Sequence, residues 1–573
     1  MILSASNPTS SQASSSVLCK GNPRFSDANF DKLAKTEGVA AAWLAAFQRD
    51  GVQCAAGVSG EFAVAIRDAQ YRVFLAVDRF ATRTLCYRQE GNRLLFAHRA
   101  DELVNADSTR EAQIDPQAIF DYLFFHVIPS PRTIFKGVMR LPPAHYALFE
   151  GGELKVAPYW LATFDEDHHT SFDSLRNDFR QILKDSVTTQ VGQIEPDKVG
   201  CFLSGGTDSS TVAGMLSAVG NQPANSYSIG FDAAGYDEMA FARIAAKHFK
   251  TKHHEYYVTP DDLVRSIAEV AAHYDQPFGN SSALPAYYCA KMAKADGREK
   301  MLAGDGGDEL FGGNSRYAKQ RVFGWYQHLP PQLRTGVMEP FLELESLGRV
   351  PFLRKAASYV EQAKVPMPDR LQMYNLLLRL GIDKVLTPGF IAQVDITGPA
   401  QQQREIWAQT RSDIPIDQVL AFDWRYTLAE NDLPKVCGTT QLAGIAVGFP
   451  MLDERLLAFS LKLPAEYKLK GLKLRWFFKE ALRGFLPDEI ITKKKQGFGL
   501  PFGVWATQHA GLRTLATESL QSLASRGVVR PDFIASLLDE KLAEHPGYYG
   551  EMVWILMMLE QWLRAKAPQY KLN

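Results

Sequence analysis

The sequence predicts a two-part α/β and α+β protein. An antiparallel β sandwich is expected over residues 1–163, a linker over 164–175, and a parallel-sheet α/β unit with a helical C-terminal part over 176–573. Three observations predict this. At 573 residues the chain exceeds one hydrophobic core, since domains average roughly 150 residues. Up to about residue 160 the apolar runs are short and turn-bounded: Phe62–Ile66 and Val73–Val77 flank a polar turn, and Leu94–Ala97 follows Gly91-Asn92, as in hairpins. From Ser171 onward the runs Val199–Leu203, Ser226–Ile229, His254–Val258 and Lys300–Ala303 are separated by stretches long enough for helices. Strands alternating with helices specify a parallel sheet with crossover helices. Val212, Met215, Leu216 and Val219 recur at i, i+3, i+4, i+7, one face of a helix after the first of these strands. Beyond about residue 315 the pattern is helical, without strand alternation.

Composition narrows the function classes. With 63 basic against 64 acidic residues and a net charge of −1, no global field draws the chain to nucleic acid or an anionic membrane. The six cysteines, at 19, 54, 86, 201, 289 and 437, form no C-x-x-C pair and no zinc spacing, so reduced thiols are expected. Met1–Ser16 lacks the basic start and apolar core of a secretory signal, and no apolar run reaches the ~20 residues of a membrane span. Val553–Leu559 is apolar but short and followed by Glu560, which predicts a buried helix in a cytoplasmic protein. His168-His169 lies in the polar stretch Phe164–Phe172 and reads as solvated rather than metal-binding.

The chemistry concentrates in Leu203-Ser-Gly-Gly-Thr-Asp-Ser-Ser210, between the apolar strand and the amphipathic helix. Gly205 and Gly206 allow a tight turn and close approach to a ligand. The helix start offers unpaired N–H groups to an anion, and Ser204, Ser209 and Ser210 add hydroxyls. The loop therefore suits the pyrophosphate part of a nucleotide, although no Walker sequence is present. A second loop, Ala303-Gly-Asp-Gly-Gly-Asp-Glu309, closes another strand and is followed by Phe311-Gly-Gly313. In an open parallel sheet ligands bind beyond the carboxyl ends of the strands, so Asp208 and Asp308 are expected to hold Mg²⁺ between them.

At these residues the chain resembles the asparagine synthetase family over most of residues 55–510. The likeness extends to Ser228-Ile-Gly-Phe231, Asp275-Gln-Pro-Phe278 with Ser281-Ser282, and Lys495-Gln-Gly-Phe-Gly499. Gly60-Glu-Phe-Ala-Val-Ala65, Asp78-Arg-Phe80 and Leu141-Pro-Pro143 resemble the family's glutaminase-like (Ntn-type) half. The resemblance implies an N-terminal glutaminase-like sandwich and a C-terminal ATP-pyrophosphatase (PP-loop) domain. It implies that ATP activates a carboxylate as an acyl-adenylate, that pyrophosphate is released, and that an amine attacks the acyl carbon. Backbone around Leu203, Ile229 and Gly304 would cradle the nucleotide. Asp305 stands where the family has an acidic residue, usually Glu, that takes a proton from the attacking amine. Lys495 matches the lysine that stabilises phosphate charge, although Lys493-Lys-Lys495 alone reads as a solvated charge run.

Two departures bear on the substrate and the amine. Glutamine-dependent members carry cysteine directly after the initiator methionine, whereas this chain reads Met1-Ile2-Leu3 and its Cys19 is internal. A glutaminase-like half without glutaminase activity is therefore expected, with ammonia from solution or a separate amidase. The family segment Gly-Val-Glu-x-Arg-x-Pro-Phe-Leu-Asp appears as Gly444-Ile-Ala-Val-Gly-Phe-Pro-Met-Leu-Asp453, with Ala446 and Gly448 in place of Glu and Arg. Either the acid recognised differs from aspartate, for instance another small or a sugar-linked carboxylate, or the charged pair was structural. Amide closure by the substrate's own amine and a non-catalytic nucleotide-binding scaffold are the other readings. A homodimer is compatible with all of them.

Overall fold

The computed structural model describes residues 3–5, 15–105, 112–327, 330–333, 359–494 and 499–572. The N-terminal half is built from β1 (Leu3–Ala5), β2 (Ser16–Gly21), β3 (Phe62–Arg67), β4 (Val73–Val77), β5 (Cys86–Glu90), β6 (Arg93–Ala97), β7 (Met139–Arg140), β8 (His145–Glu150) and β9 (Glu153–Pro158). These form two antiparallel sheets, in the orders β1-β6-β5-β7 and β9-β8-β4-β3-β2. The β3–β4 hairpin pairs Ala63 with Val77 and Arg67 with Val73. Strand periodicity decides the layering. Phe62, Val64 and Ile66 pack on Trp43 and Phe47 of the helix Val39–Asp50. Ala63 and Ala65 turn the other way, toward Tyr87, Leu94 and Phe96 of the smaller sheet. Cys86, Leu95 and Ala97 on that sheet's far side join a core that includes Trp554 and Phe278. The result is helix, sheet, sheet, helix.

Helix α1 (Phe172–Val191) opens the second half, and Ser171 Oγ caps it by accepting from Ser174 N at 3.3 Å. Residues 172–175, assigned to the linker by their polarity, are therefore helical, because an N-cap overrides composition. The connection before them is docked: Asp165 N and Asp167 N donate to Leu461 O and Lys462 O at 3.0 and 2.7 Å. The second half then runs β10 (Val199–Phe202), α2 (Thr207–Gly220), β11 (Asn225–Phe231), α3 (Met239–Phe249), β12 (Lys252–Val258), α4 (Ala283–Ala295), β13 (Lys300–Leu302), α5 (Leu433–Leu442), β14 (Ala446–Gly448) and α6 (Pro546–Lys566). Its sheet is wholly parallel, in the order β12-β11-β10-β13-β14. The three-residue β14 falls where the sequence pattern shows no strand; it is too short to display a period.

The strand order places the chain reversal between β10 and β13, so a crevice opens at their carboxyl ends. Their close fit depends on Gly200, where an added Cβ would lie 2.9 Å from both Met301 Sδ and Tyr227 Cε2. Val212, Met215 and Leu216 of α2 are buried against Val199, Cys201 and Leu203, as the helical spacing predicts. Val553–Leu559 lies in α6 and is buried. The buried tryptophans of α6 keep partners for their indole N–H groups: Trp554 Nε1 donates to Gly279 O at 2.9 Å and Trp562 Nε1 to Tyr274 O at 3.0 Å. No described helix is long and apolar enough to cross a membrane.

Lys468 and Asp417, both fully buried, meet at 2.8 Å, and the Lys468 ammonium lies 4.6 Å from the centre of the Phe164 ring. Asp417→Ala would strand this ammonium without its counter-charge and should cost about 3–5 kcal/mol in chemical denaturation. Adding Lys468→Met should recover most of that loss.

Candidate active site

The glycine loop leaves β10 and turns at once into α2. Leu203 N donates to Tyr227 O at 2.9 Å, which holds the strand end, and Ser228 Oγ donates to Leu203 O. Gly205 takes φ +68°, and a Cβ there would collide with the start of α3, so any other residue is excluded by both conformation and space. Ser204 N donates to Ser209 Oγ at 3.2 Å, folding the loop back on the helix. Gly206 is the N-cap of α2, and no side chain caps it. The first-turn N–H groups thus face a ligand without a competing acceptor, and the helix dipole adds positive charge.

The acidic loop leaves β13 alongside. A Cβ on Gly304 would lie 2.9 Å from Ser209 N and 3.0 Å from Asp208 Cβ, so the two loops touch backbone to backbone. Gly306 turns at φ +101° and sends Asp308 toward Asp208. The two carboxylates converge on the guanidinium of Arg475: Nη2 donates to Asp208 Oδ1 and lies 3.0 Å from Asp308 Oδ1. Arg475 is 5% exposed, sits at φ +54° and stacks 4.9 Å from the Phe478 ring centre. Two hard carboxylate groups sharing one positive charge are a donor set that fits Mg²⁺.

These loops line a cavity of about 1000 Å³, at the upper end for ligand sites. Of the residues expected from sequence, Leu203, Ser204, Gly206, Asp208, Ser209, Ile229, Gly304, Asp305 and Asp308 are on its wall. Gly205 acts behind the wall through its conformation, and Ser210 is fully buried beneath the loop. Lys495 lies outside the described residues. Its neighbour Lys493 is not the solvated charge that the run suggests. It is 8% exposed on its side chain, 2.8 Å from Glu238 Oε1, and donates to Gly205 O at 3.4 Å.

Sequence reading missed the opposite wall. Lys435 Nζ reaches Asp305 Oδ1 at 3.4 Å and Asp432 Oδ1 at 3.0 Å. Burial works against the Lys435 charge, yet Asp432 and Asp305 hold its ammonium above the ordinary lysine range. Burial pushes the Asp305 carboxyl up, with Lys435 opposing. Glu309, 5% exposed, is pushed up to about 8 by burial, with Asp432 and Asp423 adding to the effect. Asp432 and Lys435 lie well over a hundred residues from the motifs, so no local spacing links them; the "Asp-Leu-Pro-Lys" run reads as an ordinary helix start. Ala446 and Gly448 are not among the wall residues. A Cβ on Gly448 would collide with the Gln190 side chain and come 2.8 Å from Lys300 Cε, so that position faces protein packing.

In the N-terminal half, Cys19 lies within β2 opposite Val64. Burial pushes its thiol up to about 11. Cys54, Cys201 and Cys437 are pushed up to about 12, and Cys86 and Cys289 are raised further, all by burial. None of the six is a ready thiolate. On the linker, His168 pairs with Glu166 at 3.1 Å and approaches Glu466 at 3.8 Å, with the imidazole and Glu466 about half exposed. Glu166, His168 and Glu466 thus bring three possible ligand atoms within 4.8 Å of one another at the surface; His169 is also exposed.

Comparison with known proteins gives the family of the chain. The asparagine synthase family matches residues 178–564, and the glutamine amidotransferase domain matches residues 27–160. The chain belongs to the asparagine synthase family. It is similar to asparagine synthetase [glutamine-hydrolyzing] 1 of Bacillus subtilis, at 23% identity over 91% of this chain and 79% of that protein. It is 29% identical to a putative asparagine synthetase [glutamine-hydrolyzing] 2 of Methanocaldococcus jannaschii over 51% of this chain and 56% of the other. It is also 23% identical to amidase chyE of Penicillium rubens over 84% of this chain and 76% of the other.

Two outcomes follow from the titrating groups. At pH 8 in the folded protein, alkylation of Cys19 should run on the order of a hundredfold slower than for a free thiol of pKa about 8.5, with full reactivity on unfolding, read by mass spectrometry. The folded Glu309 carboxyl holds its proton to about pH 8, against 4.5 ordinarily. Its contribution to stability is therefore complete below pH 4.5 and declines as pH rises to about 8. Glu309→Gln should remove that part of the decline in denaturation series across this range.

Proposed function

We propose that this chain is an ATP-dependent amide-forming synthetase that adenylates a substrate carboxylate, releases pyrophosphate and transfers ammonia to the acyl group. The observation that supports this most is the meeting of the glycine loop and the acidic loop in one crevice, with Asp208 and Asp308 brought to a common cation. A carboxylate oxygen of the acid attacks the α-phosphorus of ATP, and the bond to the β-phosphate bridging oxygen breaks. The departing pyrophosphate is received by the N–H groups at the start of α2 and by Ser204 and Ser209. Asp208 and Asp308 would hold Mg²⁺, which supplies charge neutralisation to the phosphates. Lys495 is proposed to add positive charge there.

In the second half-reaction ammonia attacks the acyl carbon and the bond to AMP oxygen breaks. Asp305 takes the proton shed by the nitrogen. Its burial makes it a better acceptor than an exposed aspartate, bringing its affinity nearer the working pH. The N-terminal half is proposed to be a glutaminase-like, Ntn-type unit over residues 1–163, followed by the linker over 164–175 and a PP-loop synthetase unit over 176–573. The buried, protonated thiols support an ammonia supply from solution or a separate amidase.

A second reading has the substrate's own amine close an intramolecular amide. It is favoured by the cavity's size and by two carboxyl groups, Asp305 and Asp432, set around the ammonium of Lys435, with Glu309 on the same wall. Such an acid-rich end accepts an alkylammonium as readily as ammonium itself.

The test is pyrophosphate release from ATP·Mg²⁺ with a panel of small, sugar-linked and amine-bearing acids, with and without ammonium. Acid-dependent release that yields amide only with ammonium is expected; product without ammonium establishes the second reading. Asp208→Asn should lower turnover about 10²–10³-fold. Absence of acid-dependent release, with nucleotide still bound, would overturn both readings and leave a nucleotide-binding scaffold.

A further inference from the structure

The segment 424–442 has two faces with different neighbours. Asp432, Lys435 and Val436 are on the cavity wall. Arg425, Glu430 and Cys437 meet the N-terminal half. Glu430, 4% exposed, accepts from Ser130 Oγ, from Arg140 Nη2 and from Arg425 Nη1, the last at 2.9 Å. Arg425 Nη2 donates to Ser130 O at 3.0 Å, Arg140 Nη2 to Ile128 O at 2.8 Å, and Cys437 Sγ contacts Thr82 O at 3.9 Å. Ser130, Arg140 and Thr82 all belong to the half that the fold devotes to its antiparallel sheets.

The backbone between these contacts is unusual. Trp424–Asp432 is π-helical, and Leu433 N, where α5 takes over, donates to Leu428 O. π-Helical turns are rare because they carry one residue more than an α-turn. Relaxation to α-helix slips the register by one residue, which turns side chains about 100° around the axis. A slip of that size would take Asp432 off the cavity wall. What opposes it is the buried carboxylate of Glu430 with its three donors, two from the other half, a charge-assisted set that fixes geometry as well as energy.

We infer that the N-terminal half backs the wall of the synthetase site without lining its cavity, and that by holding Glu430 it sets the register of residues 424–432 and so aims Asp432 and Lys435 at Asp305. Glu430 and Arg140 are positioning residues. This role needs no glutamine chemistry and gives the half a function when no thiol in it is activated. It rests on the proposed adenylation and amide transfer, but its geometry is independent of them.

The test uses the full chain carrying Arg140→Met, Arg140→Lys, Ser130→Ala or Glu430→Gln. The measured quantities are amide formed per pyrophosphate released, the KM for ATP, and the alkylation rate of Cys437. The glycine loop rests on β10, α2 and α3 rather than on 424–442, so KM for ATP should stay within about twofold. Amide per pyrophosphate should fall about tenfold to a hundredfold in Arg140→Met and Glu430→Gln, as misdirected adenylate loses its acyl group to water, regenerating acid and AMP. Arg140→Lys should restore most of the ratio, and Cys437 alkylation should rise about tenfold or more in Arg140→Met as its cover loosens. If Arg140→Met fails to fold, Ser130→Ala, which removes one neutral donor, should show the same change to a smaller degree. An unchanged ratio with unchanged Cys437 reactivity would overturn the inference, as would a loss of ATP affinity in step with the ratio. If the wild-type protein releases no pyrophosphate, the functional reading falls and Cys437 reactivity alone decides whether this backing exists.

Discussion

The pairing of Val199–Phe202 with Lys300–Leu302 is the constraint on which the site depends. These strands lie about a hundred residues apart in sequence, yet they sit side by side in register, Val199 against Lys300 and Cys201 against Leu302. The crossover connections leave one strand for one side of the sheet and the other strand for the opposite side, which opens a crevice at the carboxyl edge. Two glycines permit the closeness. Gly200 leaves room for Met301 and Tyr227, and Gly304 lets one loop backbone rest on the other. With a side chain at Gly304, the loop could not approach Ser209, and Asp208 would lose its place beside Asp308.

Charge is segregated along this crevice. Near the glycine loop the wall carries Arg475, Lys479, Lys493 and Lys494 beside Asp208 and Asp308. Further along it carries Asp305 and Asp432 around Lys435, and Glu309. Burial raises the Asp305 and Glu309 carboxyls at that end, since a charged carboxylate is disfavoured where water is scarce. The first end suits a polyphosphate. The second suits a group that arrives with a proton to give up.

Arg475 shows how one residue joins several demands. Its backbone is in the left-handed region, its N–H donates to Gly312 O at 3.2 Å, and its guanidinium lies between the carboxylates of Asp208 and Asp308. An arginine holds its charge at any working pH, so the two aspartates can face one another without mutual repulsion. The N-terminal half adds a second kind of support by bracing the segment that bears Asp432 and Lys435.

Much of this was legible in the residues. The short turn-bounded run Phe62–Ile66, the strand-then-helix order after Ser171 and the spacing of Val212, Met215 and Leu216 are each local patterns, and local patterns survive in one dimension. The two loops were legible because glycine and carboxylate requirements are local and compact in sequence. Lys435, Glu430 and Arg475 were not, because each meets a partner well over a hundred residues away; nor was Asp432, which is tied to Asp305 only through Lys435, and nothing in the surrounding letters distinguishes these from solvated charges. At Ala446 and Gly448 the sequence left open a changed acid or a structural pair; neither position is on the cavity wall, and Gly448 has Lys300 and Gln190 as neighbours. The sequence by itself determined the two-part architecture, the glycine turn and the acidic turn. Only the tertiary structure decided which distant charges share a wall and which half of the chain holds them there, because burial and ion pairing are properties of the packed chain and leave no local period to read.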